Sequence, residues 1–157
     1  MLDQENHLPS DGVGMDDATP IAVDGWRPLD RVAVTGFETA LPPLDVRAVP
    51  GGAEMRVQPH TGCANVMGSL HGGFLSAIAE QSLFLPLYLH GRCSRGGIVV
   101  IDFTLSFLAS GDIATPIVAR LELLRETGRM AFVRGTLWQG DVAITAYSGT
   151  VRKLDKR

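Results

Sequence analysis

Apolar and polar residues alternate along much of the chain after residue 44, in short runs bounded by glycine, proline and aspartate. Such runs are typical of antiparallel strands with one buried face. The clearest run is residues 98–108, where a β-branched stretch is followed by a regular alternation of apolar and polar side chains. The predicted strands cover residues 44–49, 53–57, 98–108, 117–125, 130–139 and 142–153.

One segment, residues 72–89, lacks this alternation because apolar residues cover nearly its whole circumference. We predict a helix that is buried on most sides and that Pro86 kinks or ends early. The later strands, nine or ten residues long at about 3.3 Å per residue, match the length of such a helix. The sequence therefore predicts an α+β fold, in which one long central helix is wrapped by a curved antiparallel β-sheet.

The N-terminal residues 1–28 are rich in Asp, Gly and Pro and have no sustained apolar period. We predict an acidic, flexible tail there and a single domain over residues 29–157. Residues 1–30 carry seven acidic groups and one arginine, whereas the remainder carries thirteen basic and ten acidic residues. This basic excess is too mild for nucleic-acid binding. It suits a small polyanionic ligand, although an ordinary solvated surface explains it equally well.

The composition, 45% apolar and 20% charged residues, is that of an ordinary globular domain. Glu80 and Pro86 interrupt the longest apolar stretch, so we expect no membrane span, and we find no secretory signal. Cys63 and Cys93 are then expected to be free thiols in a cytoplasmic protein, with a disulfide between them as the alternative. The four histidines show no ligand spacing, so we expect no metal.

A glycine-rich polar stretch, residues 65–73, leads directly into the predicted helix. Gly72 and Gly73 would let a ligand approach the backbone closely, and unpaired N–H groups at a helix start favour a negative oxygen. The same helix carries one carboxylate, Glu80. A carboxylate on an apolar helix is costly unless it is hydrogen-bonded, paired or open to a cavity. The alternative to a functional role is a rim carboxylate hydrogen-bonded by Gln81, Ser76 or a neighbouring loop.

These positions resemble the signature of hotdog-fold acyl-CoA thioesterases, in particular the phenylacetate-degradation (PaaI-like) branch of the 4-hydroxybenzoyl-CoA thioesterase superfamily. The matching residues are Asn65, Gly68, the triplet His71-Gly72-Gly73 and Glu80. The order of elements over residues 44–152 is also similar. The resemblance implies a hotdog fold and hydrolysis of an acyl-CoA thioester to free acid and CoA. Coenzyme A is then part of the substrate, and no separate cofactor is expected.

Gly72 and Glu80 cannot easily serve one carbonyl group within a single chain. Eight residues of helix separate them by about 12 Å. Two chains whose helices pack antiparallel about a two-fold axis would bring the glycine end of one helix to the carboxylate of the other. We predict a homodimer with two composite sites, able to pair further into a homotetramer, and the resemblance implies the same dimer.

In the predicted site, the Gly72 N–H binds the thioester oxygen and stabilises the developing oxyanion. Glu80 of the partner subunit attacks the carbonyl directly or activates water. Asn65 positions the carbonyl or the water, and His71 orders the helix start. A plain loop or cap hydrogen bond is the alternative for both Asn65 and His71.

Further substrate-binding residues are expected around these groups: Gly68, Gly73, Phe74, Phe84, Arg92 and Arg95. The phenylalanines would line an acyl pocket and the arginines would bind the CoA phosphates. Ordinary core positions and exposed basic side chains are the alternatives. Some family members add a hydroxyl group early in the strand after the helix. In this sequence residues 98–101 are apolar, and Ser82 and Thr104 are candidates only because they are close in sequence.

Two other functions stay open. A hotdog module could bind acyl-CoA without turnover, although Glu80 and the glycine pair would then have no obvious purpose. A hotdog enoyl-CoA hydratase or dehydratase would need an acid–base pair, which His71 and Glu80 could mimic. The contiguous His71-Gly72-Gly73 fits the thioesterase pattern better. The sequence does not fix the acyl preference.

Overall fold

The computed structural model of the chain describes residues 24–29, 36–94 and 97–154. One antiparallel sheet of seven strands packs against a central helix, which confirms the predicted α+β architecture. The order across the sheet is β1-β2-β3-β5-β6-β7-β4. The strands are β1 (Arg27–Pro28), β2 (Leu44–Val49), β3 (Gly52–Val57), β4 (Ile98–Phe107), β5 (Ile117–Glu126), β6 (Met130–Gln139) and β7 (Val142–Lys153). The helices are α1 (Gly72–Ser82) and α2 (Leu85–Tyr88), with 3-10 turns at Phe37–Ala40 and Thr61–Cys63.

The strands predicted from alternation match the observed ones to within one residue at each end. The predicted hairpin is formed by β2 and β3, which pair from Leu44 with Val57 to Val49 with Gly52. Alternation is a reliable guide here because one face of these strands is buried. A shift of one residue would move every apolar side chain of a strand to the solvent.

The helix predicted over residues 72–89 is interrupted near Pro86, as expected: α1 ends at Ser82 and α2 begins at Leu85. The cause is Pro86, which has no N–H to donate to the carbonyl four residues earlier, at Ser82, and whose ring crowds that carbonyl. Within α2, Pro86 lies in the first turn, where a missing N–H removes no helical hydrogen bond. The proline therefore ends the first helix upstream of itself and starts a second one.

The sheet covers only one face of α1. Leu75, Ile78 and Ala79 on that face are buried. Gly149 lets the helix terminus approach the sheet, because a methyl group there would lie 2.5 Å from Leu83 Cδ1. The other face of α1, which includes Ala77, is only partly covered. Burial on most sides, predicted from the apolar circumference, is therefore not found in the single chain.

The segment before residue 29 is held by an aromatic contact. Trp26 is only 7% exposed, and the guanidinium carbons of Arg47 and Arg56 lie over its ring, 4.6 and 4.7 Å from the ring centroid. Strand β1 pairs with β2 beside it. The packed part of the domain therefore begins slightly before the predicted boundary at residue 29. Residues 1–23 of the predicted tail lie outside the described residues.

Replacing Trp26 by alanine is expected to lower the free energy of unfolding by about 2 kcal/mol. The change removes a largely buried aromatic side chain and two cation–π contacts. Urea unfolding checks this, with Trp26→Phe as the matched control, because phenylalanine keeps a ring for both arginines. A Trp26→Ala protein as stable as the wild type would show that this contact adds nothing.

Candidate active site

The loop before α1 is closed by the side chain of Asn65. Its Oδ1 accepts hydrogen bonds from the N–H groups of Met67 and Ser69, at 2.8 and 3.2 Å. Its Nδ2 donates to Ser69 Oγ at 2.8 Å. Gly68 has φ 84°, the left-handed conformation that a turn of this kind requires. Asn65 thus organises the loop, and a direct contact of its amide with substrate stays a prediction.

His71 caps the start of α1. The ring Nδ1 of His71 accepts a hydrogen bond from the Gly73 N–H at 2.8 Å. The backbone N–H of His71 donates to Cys63 O at 2.8 Å. Because Nδ1 is an acceptor, the ring proton of the neutral imidazole lies on Nε2. This geometry is the one expected of a residue that orders the start of the helix. The Gly73 N–H is occupied by this hydrogen bond.

The Gly72 N–H has no hydrogen-bond partner among the described residues. It stands at the first position of α1, where the helix dipole favours negative charge. The ring of Phe107 lies close by, since a methyl group on Gly72 would be 3.1 Å from Phe107 Cζ. A surface depression of about 350 Å³ opens here, lined in part by Asn65, Gly72, Phe107 and Gly111. A negative oxygen could bind at this point.

Gln139 holds the neighbouring loop in place and was not anticipated from the sequence. Its Oε1 accepts a hydrogen bond from the Asp112 N–H at 2.8 Å, and its Nε2 donates to Thr115 O at 2.6 Å. The Gly111 carbonyl in the same loop accepts from the Leu70 N–H at 2.9 Å, next to the start of α1. The sequence signal that could have identified Gln139 is that it is a polar residue at a position of β6 whose side chain faces inward.

Glu80 lies eight residues along α1 from Gly72, half-buried. No hydrogen bond or ion pair to its carboxylate is found in the described part of the chain, so the alternative of a carboxylate satisfied by Gln81 is not observed. Burial, and secondly the negative charge of Glu38, raise the pKa of Glu80. A second depression, of about 340 Å³, opens beside it. Its lining residues are Glu38, Glu80, Gln81, Phe84, Ile98, Val99 and Val100. Half-buried, unpaired carboxylates with a perturbed pKa occur preferentially at functional sites.

The acyl-CoA thioesterase N-terminal domain family matches residues 60–151. This range includes helix α1 and the loop that precedes it, from Asn65 to His71. The chain belongs to this acyl-CoA thioesterase family. It is therefore a thioesterase, as the resemblance implied.

Solved structures of similar proteins show that this thioesterase has the hotdog fold. A variant of the phenylacetic acid degradation protein PaaI from Thermus thermophilus is 24% identical, with a TM-score of 0.63 over 75% of this chain and 98% of that one. Thioesterase superfamily member 2 from zebrafish is 20% identical, with a TM-score of 0.67 over 77% and 88%. A hypothetical thioesterase with coenzyme A from Streptococcus pneumoniae is 14% identical, with a TM-score of 0.67 over 77% and 93%. A comparison with curated proteins gave no match.

The predicted binding residues of the thioesterase are divided between the two ends of α1. Phe84 lines the Glu80 depression, with its ring centroid 5.6 Å from that of Tyr88. Phe74 is partly buried against the core. Arg92 is ion-paired with Glu126. Arg95 lies outside the described residues.

Ser82, one of the two candidates for an auxiliary hydroxyl, is fully buried, which corrects that expectation. Its Oγ donates to Ala79 O at 2.7 Å and lies 2.6 Å from the Tyr147 hydroxyl. The Tyr147 ring fits beneath the helix because Gly135 has no side chain: a methyl group there would lie 2.4 Å from Tyr147 Cζ. Ser82 therefore ties α1 to the sheet. Thr104 is exposed on strand β4.

The predicted site residues of one chain lie in two separate groups. Asn65, His71 and Gly72 lie at the start of α1, and Glu80 lies about 12 Å along its axis. The two depressions share no lining residue. Within the described residues, no group of His, Cys, Asp and Glu could hold a metal ion, and no helix is long and apolar enough to cross a membrane. Cys63 and Cys93 are free thiols, as expected.

Proposed function

We propose that the enzyme hydrolyses acyl-CoA at two composite sites of a homodimer. In each site the Gly72 N–H of one subunit binds the thioester oxygen, and Glu80 of the partner subunit is the nucleophile or general base. The observation that carries this proposal is a pair of groups on one helix that have no hydrogen-bond partner among the described residues: the Gly72 N–H and the half-buried Glu80 carboxylate, too far apart to meet within a chain.

The sheet edge supports the dimer. Strand β4 ends the sheet, and none of the described residues pairs with its outer side. It is ten residues long, and its Ile101 and Phe107 side chains are 54% and 58% exposed. A long, apolar edge strand is a template for pairing with another chain. Pairing of β4 with its symmetry copy would continue the sheet and set the two α1 helices side by side and antiparallel. Two such dimers could form a tetramer without disturbing either site.

The reaction then follows from the charges. As Glu80 of the partner subunit takes a proton from water, the water oxygen attacks the carbonyl carbon, and negative charge develops on the carbonyl oxygen beside the Gly72 N–H. The tetrahedral intermediate collapses, the C–S bond breaks, and CoA leaves as a thiolate that takes up the proton. In the alternative route the Glu80 carboxylate of the partner subunit attacks the carbonyl carbon, the C–S bond breaks and CoA leaves as a thiolate. Water then hydrolyses the resulting mixed anhydride to the free acid and the original carboxylate.

The remaining assignments concern the substrate's two ends. Phe74 and Phe84 would contact the acyl group, Gly68 and Gly73 would shape the loop around the thioester, and Arg92 and Arg95 would bind the CoA phosphates. Support comes from the similar Streptococcus structure, which holds coenzyme A. The free thiols of Cys63 and Cys93 are in keeping with a cytoplasmic enzyme.

The activity is expected to fall at acidic pH earlier than an ordinary glutamate would allow. Glu80 must be ionised to act, and its pKa is raised above the usual 4.5. As pH falls through this raised pKa, the fraction of carboxylate and hence kcat/KM should fall together. Measuring kcat/KM as a function of pH, from the rate at which the thioester absorbance decreases, checks this. A flat profile down to pH 4.5 would contradict a raised pKa of the essential base.

Thiol release from a panel of phenylacetyl-, hydroxybenzoyl- and straight-chain acyl-CoAs tests the function. Turnover of at least one member is expected. Stoichiometric binding of these compounds without thiol release would favour a binding module. Addition of water to crotonyl-CoA without CoA release would favour a hydratase.

A further inference from the structure

The loop before α1, residues 60–71, is joined to the sheet side of the molecule by one hydrogen bond. In the described part of the chain, the other hydrogen bonds of this loop stay within it or go to the first turn of α1. The exception runs from the Leu70 N–H to Gly111 O, at 2.9 Å. Because Leu70 lies two residues before Gly72, the place of Gly111 bears on the direction in which the Gly72 N–H points.

Gln139 holds the segment that carries Gly111. Its Oε1 accepts from the Asp112 N–H at 2.8 Å, and its Nε2 donates to Asp112 O at 2.7 Å and to Thr115 O at 2.6 Å. The acceptor and both donors of the amide are therefore in use. The side chain is only 8% exposed, so water does not readily replace these bonds. A methyl group on Gly111 would lie 2.6 Å from Leu70 Cδ1 and 3.2 Å from Gln139 Oε1, so the three residues pack closely.

We propose that Gln139 is a positioning residue for the reaction, which acts through Gly111 to hold the Gly72 N–H in line with the thioester oxygen. This inference rests on the proposed function. Gln139 is absent from the lining of the Gly72 depression, whereas residues 108–111 are part of it. An oxyanion donor works only at hydrogen-bond distance from the developing charge, and a displacement of about 1 Å can cost about 10²-fold in rate. Since that charge exists only in the transition state, the effect falls on kcat.

The test is a double-mutant cycle between Gln139 and Gly72. Gln139→Met keeps a side chain of similar length but removes all three hydrogen bonds, and Gly72→Pro removes the N–H itself. Gln139→Met alone should lower kcat for the best acyl-CoA of the panel by about tenfold or more, with KM changed by less than about twofold. In the Gly72→Pro background it should lower kcat by less than about twofold, because the group that Gln139 positions is already gone. A merely structural role would give the same loss in both backgrounds.

Trp26→Ala is the matched control, because it destabilises the domain at a residue that lines neither depression and lies next to β1, at the sheet edge opposite β4. Assayed below its unfolding temperature, it should leave kcat unchanged in both backgrounds. Gly111→Ala is a second variant, which disturbs the same contact without removing a hydrogen bond. Its methyl group would push Gly111 away from the buried Leu70 side chain, so we expect a loss of kcat that again vanishes in the Gly72→Pro background.

The outcomes separate the inference from the function on which it rests. If the wild type releases thiol from no member of the panel, or if Gly72→Pro is as active as Gly72→Ala, the proposed function fails, and the role of Gln139 with it. If Gly72→Pro is impaired but folded Gln139→Met keeps the wild-type kcat, the function stands and the positioning role is overturned. Equal losses from Gln139→Met in both backgrounds would overturn it too. If Gln139→Met does not fold, the same two results with Gly111→Ala decide the matter.

Discussion

Replacing Glu80 by glutamine is expected to lower kcat for thioester hydrolysis by about 10²- to 10⁴-fold, with little change in KM. Glutamine keeps the size of the side chain and its place on α1, but it can neither accept a proton from water nor attack a carbonyl. Steady-state kinetics with the best acyl-CoA of the panel measure the effect. Glu122→Gln, which removes a carboxylate from the outer side of the sheet, should retain full activity.

The Glu80→Gln protein should nevertheless be at least as stable as the wild type. The raised pKa of Glu80 means that folding disfavours its ionised form, so the wild type loses stability as pH rises from the ordinary 4.5 through the raised pKa. Glutamine has no charge to desolvate, and its advantage should appear at neutral pH and vanish in acid. A variant that kept more than about a tenth of wild-type kcat would exclude the carboxylate from the chemistry.

Replacing Gly72 by proline is expected to lower kcat by about 10²- to 10³-fold, the usual cost of one lost oxyanion donor. The helix should tolerate the change. Proline is favoured at the first helical position, the Gly72 N–H has no partner among the described residues to lose, and His71 already has the extended conformation, with φ −71° and ψ 133°, that suits a residue before proline. Gly72→Ala is the matched control, because it adds a similar methyl group against the flexible Phe107 ring but keeps the N–H. Equal activity of the two variants would remove the N–H from the mechanism.

The same two inactive proteins test whether the site is shared. In a dimer of one Gly72→Pro chain and one Glu80→Gln chain, both changes fall in one site, and the other site is intact. Random pairing of equal amounts by co-refolding should therefore restore about one quarter of wild-type activity. No recovery despite proven mixed dimers would place both groups in the site of a single chain.

The parts of the fold that the sequence predicted are those governed by local periodicity. Strands β6 and β7 have one buried face and β4 has one partly buried face, so their alternation alone gave bounds close to the observed ones. The break in the helix was predicted from Pro86, and it falls one turn upstream of that residue because the missing N–H leaves the Ser82 carbonyl without its helical donor. The covering of α1 was mispredicted, since an apolar circumference shows that a helix needs partners but not which molecule supplies them.

The candidate site was predictable only where its residues are close both in the sequence and in space. Asn65, His71 and Gly72 lie in one loop and one helix start, so their motif could be recognised from the sequence. Glu38 lines the depression beside Glu80, and Gln139 holds the loop next to the other depression; both come there only through the path of the chain. Residue 38 lies in a stretch without apolar period, and nothing in its spacing relates it to residue 80.

In the proposed dimer, the bare edge of β4 would also link activity to the amount of protein in the cell. An enzyme whose every site needs two chains has a specific activity that declines on dilution, because dissociation does not halve the number of sites but abolishes them. Catalysis would then begin only when the concentration of the chain in the cell exceeds the dissociation constant of the dimer. A free subunit, with its apolar strand exposed, would be an inactive and aggregation-prone species that assembly removes.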